Sequence, residues 1–384
     1  MAASARITNY ARALALCGVD VKVVIAKRTE VYGLQTSNIS GDGLVYGIPF
    51  HYISGTPARS RRLPERKFRD LLDVFATLRF LKRELSAGDA VIGYLDDHPF
   101  LVSRLLGWCS HNKVRYVSEL CEYPYETNPS LSALKWLERQ YVLKRLFPRF
   151  DGVIAISDFL AEFARKHCKD ECKVGKIPIL VDFEAFNITD RSEEQQVPFL
   201  FHCGTLYDKK DGFSGLLEAF GRAVRDYGIK ARFVSTGSLE NAQHPGLLRS
   251  IINRYGLEDK VSFTGYISRE EISRLLAGAA LVVINKPDNL QNRSNFSTKL
   301  GEYLSAGKPV IHTAVGEAVN YLEDGVNACL VPCGDRDALS NSIARCLTHP
   351  EEARRMGEAG RELCHRSFDF SRNGEALLKI CEVE

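Results

Sequence analysis

The chain has 384 residues, of which 45% are apolar and 26% charged, and a formal net charge of +3. This length exceeds one ordinary core of roughly 100–200 residues and predicts two domains, while so small a net charge argues against a nucleic-acid partner. No run approaches the about 20 apolar residues that a membrane span requires, and Met1 to Asn9 lacks the basic-then-apolar order of a secretion signal, so a cytoplasmic protein is expected.

Taken in chain order, the apolar period switches repeatedly between that of a helix and that of a strand. Ile7 to Cys17 is helical, Gly18 closes it, and Val21 to Ala26 (VKVVIA) reads as a strand. A doubly wound domain ordinarily opens on a strand and a Gly-rich turn. Here the chain starts on the helix, so a first strand is expected to be missing, through a misassigned start or a loss. Arg59 to Arg83 carries nine Lys or Arg against three acids, with Leu71, Leu72, Phe75, Leu78 and Leu81 on one helical stripe. Two readings stand: a solvated helix with a core face, or a surface that meets anionic lipid. A second basic amphipathic stretch, LKWLERQYVLKRLF, spans Leu134 to Phe147.

Further strands are expected at Ala90–Tyr94, Val114–Ser118 and Gly152–Ile156, separated by helical stretches at Phe68–Leu85, Pro99–Cys109 and Leu131–Leu146. A polar linker, Thr189 to Gln196, leads to a second series: Phe199–His202, Ala231–Ser235, Val261–Thr264, Ala280–Ile284, Val310–His312 and Ala328–Val331. Such alternation predicts an α/β fold of two Rossmann-like parallel-sheet domains facing a cleft. The expected division is 1–188 and 189–368, with a final helix in 369–384 packing back on the first domain.

The 11 cysteines are scattered over both halves. Cys168/Cys172 and Cys329/Cys333 are each four apart but have no partner pair or nearby histidines at zinc spacing, so reduced thiols are expected, with no metal and no cofactor.

Parallel sheets bind anions where strand carboxyl ends meet helix N-termini. Two stretches fit that position. FLFHCGTLYDKKDG (199–212) places Gly204 and Thr205 after a buried strand and before the basic pair Lys209 and Lys210. FSTKLGEYLSAGKPVI (296–311) begins a helix near Phe296, Ser297 and Thr298, with Lys299 in its first turn, where the helix dipole disfavours a cation, and Glu302 on the same face. An anionic ligand would offset the first feature, and Glu302 can accept two bonds from a vicinal diol; an ordinary Lys-Glu surface pair is the alternative. In the first half, Glu119 and Glu122 follow one strand, and Asp96, Asp97 and His98 follow another. Acids there could orient an acceptor hydroxyl or stabilise positive charge at an anomeric carbon, or simply be caps and solvated loop acids.

These two stretches, the Phe263-Thr264-Gly265-Tyr266 turn, and Val315-Gly316-Glu317 followed by YLEDGVNACLVPCGDRDAL resemble, in order through 199–345, the retaining GT-B glycosyltransferases of family 4. RITNYARALALCGVDVKVV, FDGVIAISDFLAEFARK and IPILVDFEAFN resemble pieces of that family's acceptor domain. The resemblance implies sugar transfer from a nucleotide-sugar donor with retained configuration and no metal. It implies that Glu302 holds the ribose, Lys210 the diphosphate, and Gly265 and Tyr266 the base, while Lys299 and its helix end face the phosphates. Ser294 stands where the family often has a second Glu, and Thr205 where it often has an Arg, which puts the donor-sugar contact in question. The expected acceptor is a glycan or lipid-linked glycan in surface polysaccharide synthesis, with the protein peripheral at the inner membrane face through 59–83 and 134–147. A nucleotide-sugar epimerase and a non-catalytic binding partner are the rival readings.

Overall fold

The computed structural model describes residues 2–31, 38–94, 99–124, 133–186 and 197–383. It divides into two compact units, Met1–Ile177 with Phe370–Glu384, and Pro178–Asp369. The division expected after residue 188 therefore falls between Ile177 and Pro178. Residues 178–186 go with the second unit, where Val181 bridges to Asp369 in parallel and donates its amide to the Phe368 carbonyl at 2.8 Å.

The first unit opens on α1 (Ala2–Leu16), whose Tyr10, Ala13 and Leu14 are buried. The strand read at Val21–Ala26 is the short β1 (Val23–Ile25), and β2 (Glu30–Val31) follows. Next come β3 (Asp42–Val45), β4 (Ile48–Tyr52) and β5 (Ala58–Arg59). β1 pairs with β4, which pairs antiparallel with β3, while β2 pairs with β5. The hairpin between β3 and β4 turns on Tyr46 and Gly47, with φ of 53° and 79°, the paired positive values that suit the twist of a two-residue turn. Only the glycine adopts such a φ readily, so the pair did not read as a turn in the sequence.

After α2 (Leu63–Glu84) comes the main sheet of this unit, β6 (Ala90–Tyr94), β7 (Arg115–Leu120), β8 (Gly152–Ala155) and β9 (Lys173–Lys176), all parallel, with α3 (Pro99–Asn112), α4 (Ala133–Tyr141) and α5 (Asp158–His167) between them. Among the described residues, the strands of the first unit thus form three sheets. On α2, Asp73, Val74, Thr77 and Leu78 are buried, whereas Leu71, Leu72 and Phe75 lie outward. On the buried face Asp73 Oδ2 accepts from Arg28 Nη1 at 2.5 Å.

The second unit holds one six-stranded parallel sheet: β10 (Phe199–His202), β11 (Arg232–Ser235), β12 (Val261–Phe263), β13 (Leu281–Ile284), β14 (Val310–Thr313) and β15 (Cys329–Val331). Their spatial order is β12-β11-β10-β13-β14-β15. β10 (FLFH) and β13 (LVVI) are buried throughout, as central strands covered on both faces must be. The helices are α6 (Asp208–Asp211), α7 (Phe213–Tyr227), α8 (Pro245–Tyr255), α9 (Arg269–Gly278), α10 (Leu290–Ser294), α11 (Thr298–Ser305), α12 (Arg336–Thr348) and α13 (Pro350–Ser367). Phe213, Leu217, Phe220, Phe233, Leu281 and Ile343 share its core.

The chain then returns to the first unit as α14 (Gly374–Cys381). A Cβ on Gly152 would lie 2.9 Å from the Ile380 carbonyl oxygen, and one on Gly175 2.4 Å from Ile380 Cδ1, so both strands carry glycine where this helix rests on them. All 11 cysteines are free thiols. Among the described residues, no helix is long and apolar enough to cross a membrane, and no group of three or more His, Cys, Asp or Glu could hold a metal ion.

Candidate functional site at the switch point of the second sheet

In the second unit, the strand order reverses direction between β10 and β13. At such a point the two crossover connections leave in opposite directions, and the crevice beyond the strand ends is where open α/β sheets receive ligands. The loop after β10 carries Gly204 and Thr205; the loop after β13 carries Asn285, Lys286 and, through α10, leads to α11.

The first loop is closed on itself. Cys203 donates its amide to the Tyr303 hydroxyl at 3.0 Å, Gly204 to Thr236 Oγ1 at 3.0 Å, and Thr205 to Asp211 Oδ2 at 3.1 Å. The Thr205 hydroxyl donates to the same Oδ2 at 2.5 Å. Three amides that a phosphate-cradling loop would offer are thus already engaged by side chains of this unit. A Cβ on Gly204 would lie 2.4 Å from Lys299 Nζ, the movable end of that side chain, and 3.0 Å from the His202 ring.

Beside this loop lies a charge cluster in which Asp211 and Lys286 are buried and Lys299 is part-exposed. Asp211 Oδ1 lies 3.4 Å from Lys299 Nζ and 3.7 Å from Lys286 Nζ. Burial alone would raise the Asp211 carboxyl, but the ammonium groups of Lys299 and Lys286 and the Thr205 hydroxyl outweigh it and hold it well below the usual carboxylate range. His202, buried and bonded through Nδ1 to Ser235 Oγ at 3.0 Å, is pushed down to about 3 by burial and by Lys299, so its ring stays neutral.

The second loop is pinned to the first at several points. Asn285 Nδ2 donates to the Gly212 carbonyl at 2.8 Å and Asn289 Nδ2 to that of Lys209 at 2.9 Å. The Lys286 amide donates to Thr313 Oγ1 at 2.8 Å, and that hydroxyl donates back to the Lys286 carbonyl at 2.9 Å.

Glu302 stands one turn beyond Lys299 on α11 and is partly buried. Burial raises its carboxyl above the ordinary range, against Arg269 and then Lys299, which lower it. Lys209 and Lys210 are exposed on the single turn of α6. At the ends of β11 and β12, Gly237 and Gly265 exchange amide bonds at 2.9 Å in each direction with φ of 92° and 72°, and the adjacent Tyr266 is 79% exposed.

Of the expected donor residues, this unit brings Gly204, Thr205, Lys299 and Glu302 to the switch point. Ser297 precedes the first turn of α11 and Thr298 begins it. Ser294 and Phe296 do not present themselves to a ligand. Ser294 is fully buried, its hydroxyl donating to the Gln291 carbonyl at 3.1 Å, and Phe296 stacks on Tyr321 with centroids 5.3 Å apart. Asp211 and Lys286 were not anticipated. Each lies in a polar run, KKDG or NKPDN, that reads as an ordinary loop, and no spacing within either run links it to the other.

In the first unit, β7 continues to Leu120, two residues past its expected end. Glu119 is therefore a strand residue, and Arg6 Nε donates to its Oε1 at 2.6 Å with both side chains sealed from solvent. Arg6 Nη2 also donates to the Ile177 carbonyl at 3.0 Å. This corrects the reading of Glu119 as a loop acid. Glu122 is exposed in the segment after β7. Asp97, with Asp96 and His98, lies outside the described residues.

Residues 197–349 match the family described as Glycosyl transferases group 1. An alpha-D-kanosaminyltransferase from Streptomyces kanamyceticus is 25% identical over 332 residues, 81% of this chain and 81% of that protein. Sucrose-phosphate synthase from Thermosynechococcus elongatus superposes with a TM-score of 0.70 at 17% identity, over 98% of this chain and 92% of that one. HepE from Anabaena, solved in complex with UDP, gives a TM-score of 0.66 at 18% identity, over 88% of this chain and 87% of that one. At these identities the superpositions speak for the fold alone. With the two parallel-sheet units they give the chain the GT-B fold, and the match over 197–349 supports a group 1 glycosyltransferase.

Proposed function

We propose that the chain is a retaining, family 4 hexosyltransferase that moves a sugar from a nucleoside diphosphate sugar to a glycan or lipid-linked acceptor without a metal, in surface polysaccharide synthesis. The observation that carries this reading is the pairing of charges on α11: Lys299 beside Asp211 at the strand ends, and Glu302 one turn on the same face. In this reading Lys299 and Lys210 meet the donor diphosphate, Glu302 accepts from the ribose hydroxyls, and Tyr266 lies against the base. Fixed cations then neutralise the leaving diphosphate. Glu122 and Asp97 are the acids left to orient an acceptor.

A lipid-linked acceptor fits two faces of the first unit. α2 presents Leu63, Phe68, Leu71, Leu72 and Phe75 outward among its basic residues, and α4 presents Leu134, Trp136 and Leu137. Apolar side chains rimmed by Lys and Arg suit an anionic leaflet, which supports the reading of a cytoplasmic protein at the inner membrane face.

The test is a thermal-shift series with UDP, GDP, ADP and their sugar conjugates, run beside Glu302→Ala. A ligand at 100 times its Kd stabilises by about 2.7 kcal/mol, so a shift with one nucleotide class that the substitution abolishes is the expected result. No shift with any of them would remove the donor reading. Release of an epimer or free sugar from the donor alone would favour the epimerase, and binding with no turnover on any glycan acceptor would favour the non-catalytic partner.

A further inference from the structure

Resting on the donor reading above, we infer that Lys286 is a further cation for the donor diphosphate, beside Lys299 and Lys210, and that Asp211 is the positioning residue that holds the ammonium groups of Lys286 and Lys299 side by side at the switch point.

Four observations lead to this. First, Lys286 is not a mobile surface lysine. It is 7% exposed, and its amide and carbonyl both bond to the hydroxyl of Thr313 at the end of β14. Second, its ammonium is poorly satisfied where it sits. Nζ lies 3.7 Å from Asp211 Oδ1 and 3.5 Å from Asn292 Oδ1, both longer than the roughly 2.7–3.2 Å of a good N–H···O bond. Third, the charges do not balance. Lys286 and Lys299 share the single carboxylate of Asp211, whose other oxygen is taken by the amide and hydroxyl of Thr205. The Lys286 side chain is 8% exposed and that of Lys299 27%, and an ammonium so far withdrawn from water as Lys286 is stabilised when a further anion joins it. Fourth, the amides of Cys203, Gly204 and Thr205 are engaged internally. A phosphate arriving at the end of β10 therefore finds these three amides taken and the two ammonium groups beside them.

The ligand class follows from that geometry. Two ammonium groups that converge on one carboxylate oxygen match an anion carrying more than one charge over a short span, as a diphosphate does. Asp211 is too deep to be displaced, being 4% exposed, and so acts through the lysines rather than on the ligand.

The experiment is titration calorimetry on the full chain with UDP, GDP and ADP, each compared with its nucleoside, for wild type, Lys286→Met, Lys286→Arg and Asp211→Asn. Thermal melts establish that each variant is folded. Lys286→Gln, which keeps a donor for Asn292 and Asp211, takes the place of the Met variant should that one not fold. Lys286→Met is expected to weaken the bound diphosphate at least tenfold, to leave nucleoside affinity unchanged and to flatten the dependence on salt; Lys286→Arg should restore most of the loss. Asp211→Asn should also weaken the diphosphate selectively. Affinity that instead rises in Asp211→Asn would make Asp211 a mere counter-charge and overturn its positioning role. Diphosphate and nucleoside affinities that fall together, or neither falling, in Lys286→Met would overturn the role of Lys286. Wild type that binds none of the three diphosphates would overturn the donor reading itself, a different and separable outcome.

Discussion

Burial takes the pKa of Lys286 down to about 8; Asp211 acts against that shift, while Lys299 and Lys210 add to it. The other groups facing this ammonium hold one state over the window of interest: Asp211 stays ionised, and burial keeps His202, at about 3, and His312, at about 4, neutral. A diphosphate beside Lys286 favours its charged form, so the bound state holds the proton more tightly than the free one. Affinity is therefore expected to fall as pH rises above about 8, by no more than about tenfold per unit for a single proton. Calorimetry from pH 7 to 9 measures it, and Lys286→Arg should abolish the slope. A second prediction concerns Arg6. Its removal takes away the cation that pairs with Glu119 in a sealed site, and breaking such a pair costs about 3–5 kcal/mol. Urea unfolding of Arg6→Met should register that loss. At this scale the sequence showed Lys299 and Glu302 because both lie on one helix at a spacing that shares a face. Asp211 and Lys286 come from loops after two different strands, and only the sheet order brings them together. Glu119 failed as a loop acid because an acid at a strand end looks the same whether its partner is water or an arginine 113 residues away.

Among the elements, the strands of the second unit were the most legible. β13 is an unbroken apolar run and β10 is one up to His202, as a sheet covered on both faces favours. The small pieces of the first unit were not: β2 and β5 have two residues each, too few for any period to appear. For α2 the difficulty was one of phase. Its apolar residues outnumber the places its buried face can offer, and the ion pair of Asp73 with Arg28 lies on the face that goes inward. The outward set carries the membrane prediction. Phe68 is 63% exposed and Leu72 51%, and apolar area withdrawn from water is worth about 25 cal/mol per Å². Phe68→Ser with Leu72→Ser should weaken binding to phosphatidylglycerol vesicles severalfold in a flotation assay and leave the melting temperature unchanged. Equal binding by wild type and variant would remove α2 from the membrane reading.

For the molecule as a whole, the prediction of two parallel-sheet domains from alternating periods corresponds to two units with separate cores. Their boundary was harder to place, since nothing in the local sequence shows that Val181 pairs with Asp369. Residues 178–369 enclose a complete six-stranded sheet. Made alone, that fragment should unfold in one cooperative transition and keep the nucleoside diphosphate affinity of the full chain. Residues 1–177 made alone lack α14, and Ile380 is the side chain that covers Gly152 and Gly175. Ile380→Ala in the full chain should cost about 2–5 kcal/mol, seen as an early loss in the circular dichroism melt.

The return of α14 to the first unit also orders events during synthesis. Domains usually fold as they leave the ribosome, the N-terminal one first. Here residues 374–381 are translated after the whole of the second unit, so the sheet containing β8 and β9 waits, its glycine surface uncovered, while the later-made unit closes around its own core. The unit that is begun first is the one finished last, and the nascent chain is most exposed to misassembly in the interval between translation of Lys176 and of Cys381.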